Sequence, residues 1–123
     1  MNYRLIIIEN SLKDKTILNK YKVLSETNFS ADTPEESRML KMEIPEKDIE
    51  AVCNNLMKNI ISPYYAHLYH EDPNNNHLIV LFSGKRFDEQ KKVYPKAKEY
   101  GLFHGVSEEE MIINPTDILE EEW

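Results

Sequence analysis

Apolar positions recur along this chain in two different periods. RMLKMEI, residues 38–44, alternates: Leu40, Met42 and Ile44 point one way and Met39, Lys41 and Glu43 the other, which predicts a strand covered on one side. After Pro45 the period changes. Ile49, Val52, Cys53, Leu56, Met57 and Ile60 fall at i, i+3, i+4, i+7, i+8 and i+11, the continuous stripe of an amphipathic helix. Pro45 opens that helix, Glu46, Asp48 and Glu50 lie near its positive end, and Ser62 and Pro63 stop it.

The other segments are shorter. RLIIIEN (4–10) is β-branched and bounded by polar residues, so it predicts a buried strand. Behind a Ser11 cap, LKDKTILNK (12–20) predicts a helix with Leu12, Ile17 and Leu18 on its apolar side. YKVLSETNF (21–29) either prolongs that helix or forms a strand, and Val23, Ser25, Thr27 and Phe29 lean towards strand. Residues 30–37 are polar with a proline and predict a loop. Strands at 64–71 and 77–83 flank the turn-rich DPNNN. Gly84-Lys85 marks a tight hairpin leading to a short strand at 86–88. KKVYPKAKEYG predicts a helix with Pro95 in its first turn, ended by Gly101 or Gly105. Ser107 and Glu110 form a capping box for a terminal turn, and 112–123 is an acidic tail.

Strand, helix, two strands, helix, strand is a βαββαβ order. It predicts one α+β domain over residues 1–123. The architecture it suggests is a ferredoxin-like two-layer sandwich, an antiparallel sheet with helices on one face, extended by a C-terminal hairpin and helix.

Composition narrows the function classes. A chain of 123 residues can bury about two thirds of its unfolded surface. The net charge of −7 disfavours a nonspecific grip on nucleic acid or anionic membrane. Cys53 is the sole cysteine, so no internal disulfide or Cys-pair zinc site forms, which fits a reducing cytoplasm. The runs LIII (5–8) and LIVLF (78–82) are far short of the ~20 residues that span a bilayer, and the first residues do not make a signal peptide. The expected location is the cytoplasm.

YYAHLYHEDPNNNHLIVLFSGKRF, 64–87, is the most patterned stretch. A five-residue loop would pair Glu71 with His77 and Leu68 with Val80, leaving Tyr65, His67 and Tyr69 opposite Ser83, Leu81 and Ile79 on the second face. With helices on the first face only, Tyr65, His67, Tyr69 and Leu81 become the candidate binding residues. Such an aromatic face can stack a small planar molecule, take a protein partner, or pair with a second copy as a homodimer. The competing reading is plain core under the C-terminal segment.

The histidines offer a different chemistry. His67, or His70 with Glu71, is a candidate acid–base residue of a small enzyme. His70, Asp72 and His77 could meet at the hairpin tip around a metal, although a solvated tip accounts for them as well. No nucleophile, oxyanion donor, phosphate loop or cofactor motif is present, which favours a non-enzymatic binding domain. Charge is uneven. Residues 85–98 carry six bases and two acids, net +4, and 99–123 carry eight acids and no Lys or Arg, net −8. That is either an anion site guarded by the tail or a solvated helix face balanced by it.

YYAHLYHED, LIVLFSGKRF and AKEYGLFHGVSEEEM together resemble a group of small prokaryotic proteins of unknown function. The resemblance covers about 64–111 and implies a shared fold unit with no activity, cofactor or site residue. Lys92-Val93-Tyr94-Pro95 departs from that pattern by placing proline at the helix start.

Overall fold

The computed structural model describes residues 2–28, 38–62 and 64–106. The loop expected at 30–37, the turn at Ser107–Glu110 and the tail 112–123 lie outside the described residues. Among the described residues there are six strands: β1 (Asn2–Ile8), β2 (Lys22–Asn28), β3 (Arg38–Pro45), β4 (Ala66–His70), β5 (His77–Phe82) and β6 (Lys85–Gln90). Two α-helices accompany them among the described residues, α1 (Ile49–Asn59) and α2 (Pro95–Phe103). The protein is α+β, with one antiparallel sheet in the order β2-β3-β1-β4-β5-β6.

That order is not βαββαβ, because the first expected helix is missing. Residues 12–20 make only a 3-10 turn, Lys15–Leu18, capped by Asp14, whose Oδ1 accepts from the Thr16 N–H at 3.0 Å. The physical reason lies in the spacing: Leu12, Ile17 and Leu18 do not form a helical stripe, and Leu12 is instead drawn into a bridge with Ile60. The chain therefore returns as β2, the strand alternative for 21–29, which pairs outside β3.

Alternation divides the sheet between two apolar clusters. The larger joins Leu5, Ile7, Leu40, Met42 and Ile44 to Ile49, Val52, Cys53 and Leu56 of α1, so the 38–44 and 49–60 patterns face each other as expected. The smaller joins Ile6, Tyr69, Leu78, Val80 and Phe82 to Ala97 of α2, with Tyr100 packed against it. Neighbouring positions of β1 and β5 belong to opposite clusters, so α1 and α2 lie on opposite faces rather than on one. Pro95 stands in the first turn of α2, and Gly105, at φ 93°, follows its end.

The β4–β5 register also differs from expectation by one residue. Leu68 pairs with Ile79, His67 with Val80 and Ala66 with Leu81. Six residues, 71–76, lie between the strands instead of five. Two side-chain turns shape them: Asp72 Oδ1 accepts from Asn74 N at 2.9 Å, and Asn75 Oδ1 accepts from His77 N at 3.0 Å. One residue of slip exchanges the faces of β5. Leu81 and Ile79 consequently sit fully buried on the α1 side, and Leu81 is not part of the Tyr65/His67/Tyr69 face.

Candidate functional site

The second face carries the sequence-predicted aromatic residues, but it is not open. Tyr69 is 0% and His67 7% exposed, and Tyr65 is half-buried with its ring 5.7 Å from that of Phe82. Phe82 and Phe87 continue the face to α2 through Tyr100, at 4.7 and 5.3 Å. The apolar area that would have paired two copies is therefore interior: Ile79, Leu81 and Tyr69 all show zero exposure.

What distinguishes this face is polar. Arg4 of β1 is the register partner of Tyr69, and Ile6 is the partner of His67, which puts Arg4 beside the two rings. The His67 and Tyr69 rings stack at 6.4 Å. Arg4 Nε, His67 Nε2 and the Tyr69 hydroxyl are all shut off from solvent without a hydrogen-bond partner. Arg4 reaches Glu71 only through another nitrogen, at 3.6 Å, while the other Glu71 oxygen accepts from the Asn2 N–H at 2.5 Å. Lys91, itself buried, donates to the Asp72 carbonyl at 3.1 Å and holds its Nζ 5.9 Å from the Tyr69 ring centre.

Burial sets the protonation states. It pushes the His67 imidazole down to about 4 and the Tyr69 phenol up to about 12, the Arg4 charge offsetting the latter in part. Burial lowers Lys91 as well, against the pull of Asp72. At neutral pH His67 is a neutral ring and Tyr69 an intact phenol. The face thus presents one guanidinium donor and two groups that can each donate or accept.

His70 and His77 stand on the α1 side, and neither forms the pair expected for acid–base work. His70 Nδ1 accepts from the Asp72 N–H at 3.1 Å, which fixes its ring hydrogen on Nε2, 2.9 Å from Glu46 Oε1; Glu71 is engaged elsewhere. His77 Nδ1 lies 2.5 Å from the Tyr3 hydroxyl and its Nε2 lies 2.9 Å from Asp88 Oδ2. Arg86 grips both oxygens of Asp88, at 2.7 and 2.9 Å, and reaches on to Glu50 of α1. The Arg86 hydrogen bond holds the Asp88 carboxyl below its ordinary range. Burial, then Glu46 and Asp88, raise the Tyr3 phenol, so it does not ionise into a nucleophile.

Tyr3, His77, Asp88 and Arg86 have the composition of a catalytic relay, yet both His77 nitrogens are occupied and each end of the chain is tied. It works as a latch joining β1, β5, β6 and α1. Among the described residues no group of three His, Cys, Asp or Glu is arranged to hold a metal ion. His70, Asp72 and His77 do not converge as ligands, because each is directed to a separate partner.

The sequence pattern singles out Tyr65, His67 and Tyr69 but not Arg4, which the structure places beside them. The signal was available in the alternation of Arg4, Ile6 and Ile8, but the pairing of β1 with β4 was not. Among the described residues no helix is long and apolar enough to cross a membrane. Comparison of the chain with protein-family models, curated proteins and solved structures finds no match.

Proposed function

We propose that the protein is a non-enzymatic binding domain of the cytoplasm whose ligand is a small polar molecule. The ligand sits on the β1–β4 part of the second sheet face, against Tyr65, His67, Tyr69 and Arg4. One observation carries this reading: three buried polar atoms, Arg4 Nε, His67 Nε2 and the Tyr69 hydroxyl, lie on one small area with nothing to bond. Each such group costs about 1–3 kcal/mol when it is stranded. Three together make the closed face expensive, and a ligand with complementary groups would relieve that cost. Arg4 supplies a donor to an acceptor oxygen, while His67 and Tyr69 adapt to either polarity.

Native mass measurement of protein purified from its own cell tests this. The expected result is a non-covalent adduct that Tyr69→Phe and His67→Leu weaken. A bare chain mass, with a high-resolution structure in which ordered waters alone satisfy all three atoms, removes the proposal.

A further inference from the structure

A separate concavity lies on the other side of the sheet, between the 3-10 turn at Lys15–Leu18 and α1. It encloses about 300 Å³, at the small end of the range for ligand pockets. Its floor is core: Leu5, Leu18, Val52 and Leu56 are all buried members of the larger cluster. Its room comes from α1, where a small residue, Ala51, faces the turn beside Val52 and one helical turn before Asn55.

Both walls are held in place. Asp14 fixes the turn through the Thr16 N–H and the Thr16 hydroxyl, at 3.0 and 2.5 Å. The Thr16 and Leu18 carbonyls accept from Asn19 N at 3.0 Å and Tyr21 N at 3.2 Å. Tyr21, half-buried against the core, is hydrogen-bonded to Asp48. The concavity is therefore preformed and does not need the turn to move. Among the described residues that line it, Lys20, exposed at the rim, is the only charged one.

We propose that this cleft binds a short aliphatic carboxylate, its alkyl chain on Leu18, Val52 and Leu56 and its carboxylate at the rim beside Lys20. The apolar floor selects the chain, and the rim cation, with no acid among the described lining residues, selects the charge. Asn55, exposed on α1, gives the carboxylate a neutral donor. The site is independent of the Arg4/His67/Tyr69 face, which lies across the sheet.

Hexanoate, with hexanamide as its neutral counterpart, is titrated into the full chain while amide and methyl NMR signals are followed. Saturable shifts at Leu18, Val52 and Leu56 are expected, with hexanamide binding about two- to fivefold more weakly, the range of an exposed ion pair. Lys20→Gln should erase that difference and leave hexanamide binding unchanged. Ala51→Trp fills the cleft from an exposed position, so the fold survives and the shifts should vanish. Shifts that persist in Ala51→Trp, or none in the wild type, overturn the site. Equal binding of acid and amide by the wild type overturns the carboxylate assignment.

Discussion

The Tyr3 hydroxyl lies 2.5 Å from Nδ1 of His77, across 74 residues of sequence. The two partners are unequally buried: Tyr3 is 6% exposed, whereas the His77 side chain is 31% exposed. That asymmetry predicts unequal costs. Tyr3→Phe leaves Nδ1 where water can replace the hydroxyl, at about 1 kcal/mol. His77→Leu strands the Tyr3 hydroxyl and also removes a donor from Asp88, at about 2–3 kcal/mol. Urea midpoints at unchanged slope measure both. A milder effect for His77→Leu than for Tyr3→Phe contradicts the latch.

Cys53 should be chemically silent in the folded protein. It is fully buried within the α1 stripe, and burial pushes its thiol up to about 11. Alkylation by iodoacetamide at mildly alkaline pH is expected to proceed only through unfolding, its rate rising with urea in step with the global transition. Fast labelling without denaturant would disprove this.

Much of this architecture was legible from period alone. The 38–44 alternation and the 49–60 stripe report one-sided burial, and each finds its partner in the larger cluster. The proline at 95 and the glycine at 84 carry backbone constraints that do not depend on the rest of the fold. Long-range pairing was not legible. Leu68 and Val80 are as good a pair by composition as Leu68 and Ile79, and only the side-chain turns of Asp72 and Asn75 choose between five and six loop residues. From that single residue followed the placement of Leu81, whereas the supposed openness of the aromatic face came from placing both helices on one face, when α2 packs on the second. Arg4 was invisible for the same reason, since its significance comes from a strand about 60 residues away.

Gly84 should be replaceable at a cost set by backbone alone. It occupies φ 72°, and a Cβ there would meet nothing within 4 Å. Its N–H donates to the Met57 carbonyl at 3.0 Å, tying the β5–β6 turn to α1. Gly84→Ala is expected to lose about 1–2 kcal/mol through left-handed strain, and Gly84→Asn less, because asparagine tolerates that region. Thermal midpoints of the two variants decide the order. A larger loss for asparagine would mean that space, not conformation, is limiting.

His67 gives the sharpest test of the second face, because its buried ring should make stability depend on pH. Burial holds the folded imidazole at about 4, against 6.5 for an unperturbed ring. Below 6.5 the unfolded chain takes up a proton that the folded chain refuses until about 4. In that interval the unfolded state binds more protons, so stability falls as pH falls; above it both states are neutral and the contribution is flat. Integrated over the interval, the loss amounts to roughly 3 kcal/mol. Asp88 titrates in a lower window: its carboxyl is held below 3.8 by Arg86, so its contribution is present above 3.8 and disappears only as the pH falls further, through its folded value. His67→Leu removes the titrating group and one stranded polar atom while filling similar space. Between about pH 7 and pH 4.5 the wild type should lose stability steeply and His67→Leu should lose little, so the difference between them shifts in the variant's favour on acidification. Parallel urea-midpoint curves for the two proteins would show that His67 is not held neutral on this face, and the ligand-binding reading built on it would fall with that result.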